Sequence, residues 1–532
     1  MLSFSAICWL LRMNKGVVCV ALLVLASIPG WAQSESKPET LVRWQFAGTK
    51  GLAGIKQLKP LREILELNES KELRNVALNG FAGQMASRFA KANTNAQAAV
   101  SGLITPLLPD LIENETRFEM TTGGAQEADW ILAIKLPADR IAEWSKNLSD
   151  LAVHAQMRTA QNGKGAGWSA QRDEYRMSFT TAKNWVVLEG GMAPAKAGAK
   201  ALNTFRGSLG KRMGKQVLHA ELDFPRLAKV WSAPRLEHVP KLILTVLPRG
   251  DGLRSEMQID YPQPLNITLE RWNPPTELIR DPLIGFTALQ GIGERLGQSQ
   301  MVRSLGARKM PNQVYLWAQN STPFSVFAAA DIGNPAEVIH NFVEQVLPTF
   351  KNLPGGKINV LTNRPALIWR GLPVVAPYVE AADEGRSPFL LAGLFPVAIG
   401  KTNPAPAELF QQLKKKNLVY YEWEITEERL KQWRPIWQFT QILRGNMFPM
   451  SASDKWIEAI TPRLANTITE VTLENPRRLK LVRQSQSGLN ALELVLLAHA
   501  VDPNDVTQRR TGPVQGTKPR TPAQPAPALP LP

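Results

Sequence analysis

The chain has 532 residues, 44% of them apolar and 20% charged, which is the balance of a globular protein and excludes a disordered or fibrous one. Its formal charge of +16 favours anionic partners such as acidic envelope polymers or a membrane surface. Both of its 2 cysteines, Cys8 and Cys19, lie in a leader expected to be removed, so disulfides, thiol catalysis and thiolate metal sites are not expected in the mature protein.

That leader occupies residues 1–32. Arg12 and Lys15 precede an apolar run over 17–28, shorter than the ~20 residues a membrane span requires. Gly30-Trp31-Ala32 then supplies small residues at the positions signal peptidase reads, which predicts cleavage after Ala32. Met13 begins a complete signal of its own and is an alternative start. The protein is therefore expected to be exported, to the periplasm or beyond, and export argues against nucleic acid as a partner.

Past the leader, one pattern recurs: a strand, a turn, then the start of an amphipathic helix. The strands are predicted over 130–136, 217–223, 324–330 and 418–425. Trp130 and Phe324 are 194 residues apart, Trp168 and Trp369 201, Val217 and Leu418 201, Trp231 and Trp433 202. Phe46 and Phe286, 240 apart, open similar stretches. Closing strands over 242–246, 254–260 and 265–271 are matched with 468–473, 478–483 and 489–497.

These offsets predict an α+β protein of two tandemly duplicated domains, each a largely antiparallel sheet with packed helices. The first covers 41–272, with a helical insertion at about 63–114. A linker over 273–282 leads to the second, 283–501, which has its own insertion after Trp433. Trp144, Trp231 and Trp433 stand at similar places after strands and are expected to be buried. Residues 503–532 are rich in Pro, Ala, Gln and Thr and predict a disordered tail, because too few large apolar residues remain to offset the entropy of ordering.

For chemistry, alternation puts His219, Glu221 and Asp223 on one strand face, where an imidazole beside two carboxylates could bind a divalent metal or act as a general base. Leu218, Ala220 and Leu222 alternate onto the other face, as in an ordinary half-buried strand with its polar side in solvent. Ser208-Leu209-Gly210-Lys211 and Ser145-Lys146-Asn147 resemble elements of penicillin-binding enzymes but occur in the reverse order. Gly291-Ile292-Gly293-Glu294-Arg295-Leu296-Gly297 has one residue too many for a dinucleotide fingerprint. No cofactor is expected.

Tryptophan, at 15 against 6 tyrosines, could stack sugars, but its recurrence at matched positions points to packing. The sequence thus favours a non-enzymatic exported binding or scaffolding protein of the bacterial cell envelope. The alternative is a hydrolase or metal-dependent enzyme with a site near His219. It leaves open the ligand, any bound metal and the oligomeric state. If the tail contributes no core, limited proteolysis will remove the chain beyond Val501 without lowering the melting temperature; a destabilised truncation would show that it docks.

Overall fold

The computed structural model describes residues 39–502, apart from 90–93, 123–127, 162–166, 192–206, 208–212, 308, 321–324, 351–356, 362–364, 372–374, 384–387, 396–402 and 444–449. The expected leader, with Ala32 and Met13, the tail over 503–532 and the Ser208 to Lys211 motif lie outside the described residues.

The fold is α+β, built on one antiparallel sheet of 20 strands. In the N-terminal half these are β1 (Thr40–Phe46), β2 (Thr116–Thr122), β3 (Ala128–Lys135), β4 (Arg158–Gln161), β5 (Trp168–Arg172), β6 (Tyr175–Ala182), β7 (Trp185–Gly191), β8 (Leu218–Leu222), β9 (Lys241–Arg249) and β10 (Gly252–Asp260). The C-terminal half supplies β11 (Leu283–Gln290), β12 (Gln313–Gln319), β13 (Val326–Asp331), β14 (Lys357–Leu361), β15 (Ala366–Arg370), β16 (Tyr378–Asp383), β17 (Pro388–Gly393), β18 (Leu418–Ile425), β19 (Asn466–Asn475) and β20 (Arg478–Ser485).

Pairing sets the strands of the N-terminal half in the order β4, β5, β6, β7, β3, β2, β1, β8, β9, β10. Those of the C-terminal half run β14, β15, β16, β17, β13, β12, β11, β18, β19, β20. Adding ten to each label of the first order gives the second. The sheet is continuous because β10 pairs with β20, from Leu253 opposite Ser485 to Asp260 opposite Arg478.

One face of the sheet carries most of the helices. On it Val42, Phe118, Met120 and Trp130 pack against Phe81, Met85, Val100 and Ile104 of the helices Asn68–Phe89 and Thr94–Ile104. The helix Ala138–His154 adds Trp144, Leu148 and Leu151 to this core. Val471 and Leu481, from β19 and β20, belong to the same core, so apolar contact crosses the seam between the halves. Farther along, Ile64 and Leu73 of the N-terminal half pack with Leu430, Ile457, Ile460 and Leu494 of the C-terminal half. The other face is apolar over the C-terminal half, where Phe286, Tyr315, Trp317, Phe327 and Leu391 are covered by Ile279, Ala405 and Leu413.

Local signals explain the helix starts. Asn490 and Glu493 form a reciprocal capping box that opens Ala491–Val501, and Ser451 with Asp454 does the same for Ala452–Ile460. The region expected as an insertion is helical over Lys59–Glu66, Asn68–Phe89, Thr94–Ile104 and Leu108–Glu113. Residues 273–282 are more than a spacer: Ile279 is fully buried, and the Asn273 backbone N–H donates to Gln313 Oε1 at 3.0 Å and to the Tyr315 hydroxyl at 3.1 Å.

Three expectations are corrected. Within 489–497, residues 491–497 belong to the helix Ala491–Val501 capped by Asn490, because the capping box and the run of helix-forming Leu and Ala outweigh the apparent alternation. Residues 265–271 pair with no strand; instead they offer carbonyls to neighbours, Thr268 to the Asn312 side chain at 2.8 Å and Arg271 to Gln313 at 2.9 Å. Trp231 is 37% exposed, since it caps the C-terminus of the short helix Phe224–Val230, whereas Trp433 lies inside the longer Thr426–Leu443 and packs on its core. Trp144 is buried as expected, at 3% exposure.

Because Leu481 joins a core drawn from both halves, Leu481→Ala should cost about 2–4 kcal/mol in equilibrium denaturation. A loss below about 1 kcal/mol would show that the seam does not bear on stability.

Candidate functional site

β8 lies between β1 and β9, and its polar side faces away from the main helical layer. There His219 Nδ1 is 3.2 Å from Thr245 Oγ1 of β9. Glu221 is held by two cations: Arg43 Nη1 at 3.4 Å and Lys241 Nζ at 2.6 Å. Arg43 also reaches Glu119 at 3.1 Å. Asp223 lies just past the strand and caps the next helix, accepting from the Arg226 backbone N–H at 3.1 Å with Arg226 Nη1 3.4 Å away.

The strand thus brings His219 and Glu221 to one face but gives Asp223 a separate task. Burial, and then the charge of Arg43, hold the His219 imidazole below its ordinary range against the opposing pull of Glu221. A neutral imidazole can accept a proton or ligate a metal. Among the described residues, no group of three or more His, Cys, Asp or Glu is placed to hold a metal ion.

The same face continues across the seam as a ladder of ion pairs, with Arg254 on Glu256 at 2.6 Å, Arg478 on Asp260 at 2.5 Å and Lys415 on Glu470. These side chains keep only part of their surface exposed, from 15% at Glu221 to 43% at Lys415, and solvent screening still leaves each pair a modest contribution to stability while the face presents alternating charge.

The densest buried ionisable group lies on the opposite face, under the helices Thr426–Leu443 and Ala491–Val501. β18 directs Glu422 and Glu424 there, β19 Thr467 and Thr469, and β20 Arg483. Arg483 grips Glu493 with both terminal nitrogens, one contact at 3.0 Å, and donates from Nε to Thr469 Oγ1 at 2.9 Å. Asn490 Nδ2 donates to both oxygens of Glu422 at 3.1 Å. Glu424 Oε1 accepts from the Ala491 backbone N–H at 2.7 Å and from Thr426 Oγ1 at 3.0 Å. Arg429, in the space left by Gly285, whose Cβ would come within 3.1 Å of Arg429 Cδ, lies over the Trp433 ring at 5.4 Å.

Three carboxylates, Glu422, Glu424 and Glu493, thus face two guanidiniums, Arg429 and Arg483. Full ionisation would leave one buried negative charge without a partner, at a cost of several kcal/mol. Glu424 resolves the imbalance: burial first, and then the charge of Glu422, raise its pKa from 4.5 to about 7. Burial also raises Tyr420 well above its ordinary value.

The sequence does not single out this group, because Tyr420-Tyr421-Glu422-Trp423-Glu424 carries the alternation of an ordinary strand whose polar side could equally face solvent. The signal that could have found it is the Asn-x-x-Glu cap at Asn490 together with a strand that alternates charge on a face its neighbours bury.

Ser453, His499 and Asp502 carry the residue names of a hydrolase triad. Ser453 Oγ is 3.1 Å from His499 Nδ1, and Asp502 accepts from the Ser453 backbone N–H at 3.2 Å. All three are buried, Ser453 and Asp502 completely, so the hydroxyl cannot meet a substrate and the trio ties two helices together. Ser145 and Asn147 lie within the helix Ala138–His154, where Asn147 donates to the Leu103 carbonyl at 3.2 Å. Gly291 has φ of 84° and meets Ile267, so the glycine-rich stretch serves a tight turn. Several tryptophans are structural pins: Trp144 donates to Asp110 at 2.8 Å, Trp168 to the Ser145 carbonyl at 3.2 Å, and Trp456 to Ser70 at 2.9 Å.

Comparison of the chain with protein-family models, with curated proteins and with solved structures finds no match.

Glu424 makes a signed prediction. With its pKa raised in the fold, its protonated form contributes stability that is complete below about 4.5 and lost as pH rises through about 7. Glu424→Gln keeps an acceptor for Ala491 and removes the titration. The variant should therefore gain on the wild type between pH 5 and pH 8, by on the order of 3 kcal/mol at most, in denaturant titrations. Parallel pH profiles for the two proteins would refute it.

Proposed function

We propose that this is an exported, non-enzymatic binding or scaffolding protein of the bacterial cell envelope, and that its two halves, 41–272 and 283–501, arose by tandem duplication. The observation that carries the duplication is the strand order, in which β1 to β10 and β11 to β20 follow the same path through the sheet. The offsets near 201 in the sequence support the same pairing of β8 with β18.

The binding reading is supported by the way the polar groups are used. Glu221 is neutralised by Arg43 and Lys241, Asp223 caps a helix, and the Ser453 trio is sealed. What remains accessible is a broad face of paired charges on a chain whose net charge is +16. Such a surface attracts anionic polymers or lipid headgroups through its overall field rather than through a single pocket.

A metal-dependent or hydrolytic site at His219 is the second reading, favoured by the neutral imidazole that Arg43 and burial maintain on this face.

Two measurements separate these readings. Binding of the mature protein to vesicles rich in acidic lipid should weaken at least tenfold between about 10 mM and about 150 mM salt, as the Debye length falls from roughly 30 Å to about 8 Å. Binding indifferent to salt, or none at low salt, would reject the electrostatic reading. Stoichiometric zinc or manganese in purified protein, lost in His219→Ala, would establish the second reading in its place.

A further inference from the structure

Among the described residues, the helical layer on the main helix-bearing face stops short over part of the C-terminal half. On β11, β12, β13 and β17 the side chains that alternate with the buried core point to that face, and they are almost all apolar. Leu289, Val314, Ala330 and Leu390 form one rung across four strands, and Leu316 and Ala328 lie in the next. Each is partly exposed, Leu316 by 39%, and none belongs to a described core. In the N-terminal half the corresponding strands β1, β2 and β3 are covered on this face by Asn68–Phe89 and Thr94–Ile104. Between β11 and β12 the chain instead forms two helices of 5 residues each, Gly293–Gly297 and Gln300–Ser304.

Helices wall this floor on two sides. Thr426–Leu443 contacts β11, β18 and β19, and its Arg429 fills the space beside Gly285. Pro335–Asn341 contacts β15, β16 and β17, and its buried Val338 and Ile339 take no part in the core on the opposite face. The four strands β11, β12, β13 and β17 at about 4.8 Å spacing span roughly 14 Å between the walls, and 6–8 residues of strand make the strip roughly 20–25 Å long.

That shape selects the occupant. A floor of about 200–400 Å² is well short of the roughly 600 Å² per partner that a stable dimer buries, and walls one helix high keep a second flat sheet away. A single α-helix, about 10–12 Å across, fills the width. A helix seated there would extend the layer that Thr426–Leu443 and Pro335–Asn341 already form on the neighbouring strands, and the alanines of the floor admit large side chains.

We propose that this groove is a docking site for an amphipathic α-helix of a partner protein, one that presents a stripe of large aliphatic or aromatic residues. The proposal rests on the binding-protein reading and names its partner class.

The probe is a fluorescein-labelled amphipathic peptide of about 16 residues with leucines at helical spacing, against a control of the same composition with the leucines dispersed. Anisotropy with the full mature chain should show saturable micromolar binding of the first peptide only. Leu316→Glu and Ala328→Glu should each weaken it at least tenfold with unchanged melting, while Thr159→Glu on the distant edge strand β4 should not. Should Leu316→Glu fail to fold, Ala328→Glu decides alone. No binding, equal binding of the dispersed peptide, or binding that survives both groove variants overturns the proposal. So does a dimer in sedimentation that Leu316→Glu dissolves, which would assign the groove to a second copy, or displacement of the peptide by a fatty acid, which would assign it to lipid. Salt-dependent vesicle binding, measured on the same variants, should persist, so loss of the groove and loss of the electrostatic reading remain distinct results.

Discussion

The ladder between β10 and β20 sets the architecture of this protein. Each strand already has one neighbour within its own half, β9 and β19, so without the ladder each half would end in an open edge with unpaired backbone groups. Joining the two edges satisfies both and sets the register across the seam, with Met257 opposite Leu481. That register aligns the faces of the halves, which lets Leu481 and Val471 enter the N-terminal core and lets helices from one half lie against those of the other. Only the outer edges, β4 and β14, pair on a single side among the described residues.

Once the faces are aligned, each strand has to serve two environments. On β18, Tyr421 and Trp423 enter the apolar core of one face while Glu422 and Glu424 enter the helical layer of the other. Buried carboxylates are tolerated there because donors converge on them: Asn490, the Ala491 backbone N–H and Thr426, with the charges of Arg429 and Arg483 close by. Burial and the charge of Glu422 raise the pKa of Glu424 to about 7, so the imbalance of one charge is relieved as Glu424 takes up a proton below that value. The network links three strands to the starts of two helices, so its hydrogen bonds orient the C-terminal half's helical layer as well as satisfying its own polar atoms.

The halves share a strand path but not a covering. The helices between Lys59 and Glu113 lie over β1 to β3, whereas β11 to β13 keep an apolar floor that is partly open. The side chains of the two floors differ accordingly. Phe118 and Trp130 fill the covered one, while Ala328 and Ala330 leave hollows in the other. A partly exposed apolar surface walled by helices of the same chain contrasts with the ion pairs that line the opposite face over the N-terminal half and the seam.

Much of the fold was legible in the chain because it rests on local periodicity. The strand over 418–425 is found with those bounds, and the helical region after Lys59 and the α+β class follow from apolar spacing and strand-to-helix units. Where local signals compete, sequence reading failed: residues 489–497 alternate well enough for a strand, yet a capping box at Asn490 makes 491–497 helical. That Trp231 and Trp433 each follow a strand was readable, but not their burial, which depends on how far each helix continues and what lies over it. For the candidate site, alternation placed His219 and Glu221 on one face, while the cations that neutralise Glu221 come from strands 178 residues earlier, at Arg43, and from the next strand, at Lys241. The meeting of Glu422, Glu424, Arg429, Arg483 and Glu493 was equally out of reach. The sequence by itself determined most of the strands and the helical region after Lys59, because these depend on neighbours a few residues apart; which charges meet and which face is left uncovered was decided only by the tertiary structure, through pairings between β10 and β20 that no local pattern encodes.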